Sequence, residues 1–278
     1  MNLPFLKKPA EKRKLTEEEE IEASAAPLLD HLTELRRRLI VCVAAIAVAF
    51  ILCFFLSRRI FDFLIIPFVV AVGPGADGKD PTLYFAPLEF FFTQVRLAVF
   101  GGIALAFPVI AYELYRFIAP GLYRRERNAL TPFLIASPAL FAAGAALVYF
   151  FMMPMLMRFA VGFEAGGEGA PAEFQLLTRV GDYLSLITTL MLGFGVAFQM
   201  PVVLTLMARA GLVTSAFLAK NRRFAIVLIF IAAAILTPPD PLSQIVLASM
   251  LMALYEASVF AVRLAEKKAM PEKDEAAA

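Results

Sequence analysis

The sequence predicts an all-α integral membrane protein with six transmembrane helices, two of them short, and with both termini in the cytoplasm. Three observations carry this prediction. First, 60% of the 278 residues are hydrophobic and only 18% are charged, whereas soluble domains are about a quarter charged. Second, the apolar residues gather into six long runs, in keeping with a mean hydropathy of +0.76. Third, the basic residues between these runs lie mostly on one side.

The six apolar runs differ in length. An α-helix needs about 20 residues to cross the hydrocarbon core. Spans 2, 3 and 4 exceed that length, and Pro108, Pro138, Pro154 and Pro201 give them places to bend. Span 5 is conspicuously short, and the stretch 57–87 after span 1 is predicted to be a long external loop. The six spans are residues 40–56, 88–114, 130–156, 183–207, 224–236 and 245–262.

Both ends of the chain are predicted to lie outside the membrane domain. Residues 1–26 are charged and are expected to form a disordered cytoplasmic tail. Because they lack an apolar core, no cleavable signal peptide is expected, and span 1 would act as its own insertion signal. A short amphipathic helix is predicted to begin at Pro27 and to run into span 1. The membrane domain is assigned to residues 27–262, and residues 263–278 form a second cytoplasmic tail.

The distribution of Lys and Arg predicts the orientation. Of the 26 basic residues, twenty lie before span 1, after spans 2 and 4, or after span 6, five lie on the other side, and Arg96 lies within span 2. Basic residues hold short loops in the cytoplasm. Both termini are therefore predicted to be cytoplasmic, which agrees with an even number of spans.

The residue types needed for catalysis or metal binding are scarce. The chain has one histidine, His31, and two cysteines, Cys42 and Cys53, which lie too far apart along span 1 for a disulfide within one helix. No zinc-binding set and no phosphate-binding glycine loop is present. The sequence therefore predicts a protein that is not an enzyme and needs no cofactor.

A basic loop between spans 2 and 3 carries the most specific motif. Residues 117–126 read FIAPGLYRRE, and Pro108 precedes them by nine residues. Three further motifs lie elsewhere along the chain: HLTELRRRL at 31–39, FGVAFQMP at 194–201 and TPPDPLSQ at 237–244. Together these four motifs resemble the TatC family, the large polytopic subunit of the twin-arginine protein translocase, over roughly residues 27 to 262.

The resemblance implies a binding site for twin-arginine signal peptides on the cytoplasmic face. Its residues would be Glu34, Arg36, Phe117, Leu122 and Glu126. Each acid also has a structural alternative: Glu34 could pair with Arg38 one turn along the helix, and Glu126 with a neighbouring arginine. The chemistry suits the ligand, because carboxylates bind planar guanidinium groups with two parallel hydrogen bonds. The surrounding basic field repels such a ligand, so short-range contacts must supply the recognition.

Gln199 lies near the middle of span 4, where many TatC proteins have glutamate. Glutamine keeps its hydrogen-bonding capacity but cannot titrate, so an obligatory proton-relay role is excluded at this position. Gln199 is predicted to contact a polar residue of a partner protein, and the alternative is a hydrogen bond to a neighbouring helix of the same chain.

Four further residues are predicted to be structural or related to transport: Pro67, Pro108, Asp240 and Gln244. A backbone role is favoured for Pro67, and a turn or a helix cap for Asp240. The shortness of span 5 also predicts that the bilayer is thinned beside spans 5 and 6, with the turn at Asp240 inside the usual outer leaflet.

The favoured interpretation is the core subunit of the twin-arginine translocase in the cytoplasmic (inner) membrane. The resemblance implies two single-span partners, TatB and TatA, besides the signal peptides of folded cargo and the lipid bilayer; no nucleic acid is expected. A small-solute secondary transporter is the alternative, but such proteins show intramembrane charges and repeated halves, whereas the spans here are poor in acids and no repeat is visible. An intramembrane enzyme would need a cluster of reactive side chains.

Overall fold

The protein is all-helical in its computed structural model, which describes residues 17–73, 84, 86–118, 131–162, 179–236 and 241–275, with side chains within residues 32–267. Ten α-helices lie within these ranges: α1 Glu17–Phe55, α2 Ser57–Val72, α3 Glu89–Ile118, α4 Thr131–Leu147, α5 Met153–Val161, α6 Val180–Ala197, α7 Met200–Arg209, α8 Ser215–Lys220, α9 Arg222–Leu236 and α10 Pro241–Glu275. Extended structure in the described part is limited to one isolated bridge, between Tyr84 and Arg179.

Five membrane-crossing segments are long and apolar enough to span a bilayer within the described residues. They are Leu32–Phe55, Glu89–Phe117, Phe133–Val161, Val180–Arg209 and Gln244–Lys267. They correspond to predicted spans 1, 2, 3, 4 and 6. Predicted span 5 corresponds to α9, which has 15 residues, so its predicted shortness is confirmed. The prediction of a second short span is wrong for the described residues, because each of the other five segments has at least 24 residues.

One boundary near the N-terminus differs from the prediction. Helix α1 begins at Glu17 rather than at Pro27, so the prediction of a disordered tail is corrected for residues 17–26. Consecutive glutamates favour a helix here, because their negative charge lies at the positive end of the helix dipole. The predicted amphipathic helix and span 1 form one continuous helix of 39 residues.

The predicted external loop 57–87 is wrong over its first half. Residues Ser57–Val72 form helix α2, which buries Leu64, Pro67 and Phe68. Helix α2 packs against α5 and α3. The 3–4 spacing of these buried residues is a helical pattern, which the charged residues and the internal proline obscure in the sequence.

Prolines interrupt spans 3 and 4 at two of the places that the sequence predicts. In span 3 a π-helical turn, Val148–Met152, joins α4 to α5 just before Pro154. In span 4 helix α6 ends at Ala197 and α7 begins at Met200, because Pro201 has no N–H to donate to the carbonyl four residues earlier. The N–H of Gln199 bonds instead to the Val196 carbonyl at 2.9 Å.

The spans are buried to very different degrees. Helices α4 and α6 pack together at the centre, and α10 packs against α7 and α9. In the most apolar window of span 3, 44% of the residues are buried, against 11% in span 1, which packs mainly on α3. Span 1 is therefore peripheral, and most of its side chains face the surroundings of the bundle.

Candidate functional site

Several polar side chains cluster where α1 approaches the end of α3. We call this side of the molecule the N side; it holds the start of α1, the ends of α3 and α7, the start of α9 and the end of α10. The charged motif at 31–39 and the end of α3 meet on the N side, where Arg38 contacts Glu113.

Arg38 joins two carboxylates in the N-side cluster. One terminal nitrogen forms a close ion pair with Glu34 one turn earlier on α1. The other lies 3.4 Å from Glu113 Oε2 and 3.4 Å from the Glu113 backbone oxygen. Only 15% of the Arg38 side chain is exposed, against 37% for Glu34 and 13% for Glu113. The cluster therefore links α1 to α3 with charged groups that are largely withdrawn from solvent.

The N-side cluster contains one of the predicted peptide-binding residues and lies near others. The pair between Glu34 and Arg38 is the structural alternative that the sequence offered, and a role for Glu34 in peptide binding stays a prediction. Arg36 is exposed, and Phe117 is half-buried on the last turn of α3. Leu122 and Glu126 lie outside the described residues. The pairing of Glu113 with Arg38 was missed, because the two residues are 75 positions apart.

Gln199 is satisfied by its own chain. Its Oε1 accepts a hydrogen bond from the Ser137 hydroxyl at 2.5 Å, and its Nε2 donates to the Ser137 backbone oxygen at 3.1 Å. A longer contact of 3.4 Å joins Nε2 to the Gly195 carbonyl, which has lost the usual partner because the N–H of Gln199 bonds elsewhere. These contacts favour the structural alternative for Gln199 over a contact with a partner protein.

Small residues let α4 and α6 approach closely beside Gln199. A Cβ atom added at Gly144 would lie 2.6 Å from the Phe194 oxygen, and one added at Gly195 would lie 2.5 Å from the Phe141 ring. Small residues and interhelical hydrogen bonds are the usual means of holding membrane helices together. The motif at 194–201 therefore builds a tight helix crossing, and Ser137 and Gln199 bond across it.

Pro67 creates a second polar contact inside the bundle. A proline in a helix leaves the carbonyl four residues earlier without its backbone donor, and here that carbonyl belongs to Phe63. The hydroxyl of Tyr149 donates to the Phe63 oxygen at 2.8 Å, and the hydroxyl of Tyr183 donates to the next carbonyl, that of Leu64, also at 2.8 Å. This geometry agrees with the backbone role favoured for Pro67 and ties α2 to spans 3 and 4.

The other predicted structural residues have simpler surroundings. Gln244 Nε2 lies 3.4 Å from the Phe230 carbonyl and so links α10 to α9. Pro108 lies exposed within α3. Asp240 lies outside the described residues, so its predicted turn or cap is not part of the described structure.

A largely apolar cavity of about 460 Å³ opens between α3, α4 and α7. Tyr115, Ser137 and Gln199 give it its few polar edges, and Met207 and Leu212 lie towards the N side. The described residues hold no group of three or more His, Cys, Asp or Glu side chains suited to a metal ion. The fold and these surfaces define a multi-pass membrane protein whose intramembrane polar groups bond helices to one another.

Comparison with known proteins identifies the family. Residues 30–249 match the family model described as "Sec-independent protein translocase protein (TatC)". The chain is 44% identical over 243 residues to the Magnetococcus marinus protein of that name, covering 87% of this chain and 86% of the relative. It is 36% identical over 234 residues to the Escherichia coli protein, covering 84% and 87%.

The fold agrees with the same family. The structure resembles a crystal structure of the twin-arginine translocase receptor TatC with a TM-score of 0.74 at 34% identity, covering 85% of this chain and 99% of that one. The chain therefore belongs to the TatC family. It is a multi-pass membrane protein of a family that serves as a component of a protein translocase and is not enzymatic.

Proposed function

We propose that this chain is the core subunit of a twin-arginine translocase. It binds twin-arginine signal peptides on its N side and takes part in moving folded proteins across the membrane. The family match supports this role, and so does the name of receptor given to the solved relative. The observation that carries the proposal is the N-side cluster, where carboxylates hold a guanidinium group within a basic surface.

The N side is proposed to face the cytoplasm, with the bundle in the inner membrane and both termini inside. By sequence, twenty of the 26 basic residues lie before span 1, after spans 2 and 4, or after span 6, which the positive-inside rule assigns to the cytoplasmic side. Helix α9, which is predicted span 5, crosses the membrane in this arrangement and brings the number of crossings from five to six. Its 15 residues extend about 22 Å, against about 30 Å of hydrocarbon, which supports a thinned bilayer beside α9 and α10.

Peptide recognition is assigned to Glu34, Arg36, Phe117, Leu122 and Glu126. The two carboxylates would bind the paired guanidinium groups, and each charged hydrogen bond of this kind contributes about 1.5–3 kcal/mol. Phe117 and Leu122 would offer apolar contact to the residues that follow the arginines. TatB-like and TatA-like single-span proteins are the proposed partners within the membrane.

Peptide binding to the full chain in lipid nanodiscs tests this function. A signal peptide with Arg-Arg should bind well and a Lys-Lys version at least tenfold more weakly, because an ammonium group cannot form the bidentate contact. The double variant Glu34→Gln, Glu126→Gln should lose most of the preference for arginine, while Arg37→Gln should keep it. Equal affinity of the wild-type protein for both peptides would contradict the proposed recognition.

A further inference from the structure

Arg38 has an arrangement that a purely structural ion pair does not explain. Its guanidinium lies between two carboxylates from different helices, close to Glu34 and at 3.4 Å from Glu113. Its Nε atom is buried and has no hydrogen-bond partner among the described residues. An unsatisfied buried donor costs free energy, so the pocket holds this arginine incompletely.

The occupant shows which chemistry the pocket accepts. Arginine carries five donors in a planar fork, which suits two carboxylates at once, whereas an ammonium group is a compact point charge. The two acids are unequally accessible: 37% of the Glu34 side chain is exposed, against 13% of Glu113. A second guanidinium can therefore approach from the side of Glu34, while Glu113 forms the inner wall.

We propose that Arg38 is a built-in substitute for a signal-peptide arginine: it fills a guanidinium pocket made by Glu34 and Glu113, and an incoming arginine takes its place. Glu113 is then a further specificity-determining residue for the peptide. This inference rests on the proposed function, because it names the groups that the peptide meets. It also explains why the pocket stays occupied when no peptide is bound, because leaving the largely buried Glu113 carboxylate without a cation would be costly.

The exchange has a measurable consequence for affinity. A ligand that must displace an internal competitor binds more weakly, by the fraction of time that the pocket is free. Removing the competitor with Arg38→Gln should therefore tighten binding of an Arg-Arg signal peptide, by roughly fivefold. The same peptide with Lys-Lys should gain much less, because lysine does not fit the two-carboxylate pocket.

Arg37→Gln is the matched control. Arg37 is the exposed neighbour of Arg38 on the same helix, so its removal takes away one positive charge without emptying the pocket. A general electrostatic gain should then appear equally for both peptides and should fade with salt. Arg38→Gln should increase affinity for the Arg-Arg peptide by more than Arg37→Gln does.

Glu113→Gln supplies a second readout. In the wild-type background it weakens the hold on Arg38 and on the peptide alike, so the two losses offset and the affinity should change by less than about twofold. In the Arg38→Gln background only the peptide uses Glu113, and the same substitution should weaken binding by roughly fivefold. A residue that merely ties α1 to α3 would show the same small effect in both backgrounds.

The experiment is an anisotropy titration of a labelled signal peptide against the full chain in nanodiscs, with each variant checked for monodispersity. If Arg38→Gln does not fold, Arg38→Lys against Arg37→Lys makes the same comparison, since an ammonium group occupies the pocket less well. The inference is overturned if the Arg38 variant binds no more tightly than its Arg37 control, or if Glu113→Gln acts equally in both backgrounds. Wild-type discrimination between the two peptides tests the proposed function separately.

Discussion

The crossing of spans 3 and 4 and the N-side cluster solve the same problem in opposite ways. Both place polar side chains between helices. At the crossing the groups are neutral and Gln199 is satisfied, with Ser137 bonding to it through both hydroxyl and backbone. In the cluster the groups are charged, one contact of Arg38 is long, and its Nε is left without a partner among the described residues.

This difference distinguishes the part of the molecule that keeps its contacts from the part that can exchange one bound group for another. A satisfied neutral network inside a bundle has nothing to gain from a new ligand. A charged pocket with an imperfect occupant gains from a better one. The crossing therefore serves as the scaffold, and the cluster is the surface that we propose receives a cationic partner.

Enlarging the small residue at the crossing should break the scaffold most strongly. In Gly144→Leu the new Cβ alone would lie 2.6 Å from the Phe194 oxygen, so the two helices must separate. Overpacking costs typically 1–3 kcal/mol and occasionally more, and backbone cannot move aside as a side chain can. We expect loss of folded protein, measured as the fraction that stays monodisperse in detergent.

Ala143→Leu is the matched control for this prediction. Ala143 is the preceding residue on the same helix and is exposed, so a larger apolar side chain should be tolerated there. Equal yields of folded protein from the two variants would show that the close approach of α4 and α6 does not support the bundle.

The sequence predicts the parts of this fold that depend on local patterns. Apolar length gives the spans, and Pro201 predicts the break between α6 and α7, because a proline acts on its own helix. The sequence shows that the motif at 194–201 contains Gly195, but it does not show that Gly195 lies close to Phe141. Such contacts depend on how two distant helices align, which a single sequence does not encode locally.

The missed features share this dependence on tertiary structure. Helix α2 lies within the stretch that the sequence predicts to be an external loop, and Pro67 in its interior would normally argue against a helix. The cost of a proline inside this helix is reduced by Tyr149, whose hydroxyl bonds the carbonyl of Phe63, 86 positions away in the sequence. Glu113 likewise shows its significance only once α1 lies against α3. Glu34 and Phe117 are proposed as peptide-binding residues on the strength of the family motifs, not of their surroundings.

Removing one hydroxyl group should weaken the scaffold by an intermediate amount. Tyr149→Phe keeps the ring that stacks on Phe63 at 4.4 Å between centroids, but leaves the Phe63 carbonyl without its donor. The expected cost is about 1–2 kcal/mol in the free energy of unfolding, measured by denaturation in mixed micelles. Tyr84→Phe, at an exposed tyrosine, should cost almost nothing.

Pro67→Ala sharpens this prediction. Alanine restores an N–H four residues after Phe63, so the helix itself can bond the carbonyl. Tyr149→Phe should then cost clearly less in the Pro67→Ala background than in the wild type. An equal cost in both backgrounds would mean that Tyr149 stabilises α2 by something other than the carbonyl that the proline frees.

The smallest effect is expected for the hydrogen bonds between Ser137 and Gln199. Hydrogen bonds between membrane helices contribute about 0.6 kcal/mol on average and at most about 1.7. Gln199→Leu and Ser137→Ala should therefore each lower the free energy of unfolding by about 1 kcal/mol. Because the two residues bond mainly to each other, the double variant should cost little more than either single one. The coupling is measured by a double-mutant cycle in mixed micelles, with Thr189→Ala as an exposed control on α6. Full additivity would show that the two side chains do not act as a pair, and Gln199 would then be open to the partner contact that the sequence first suggested.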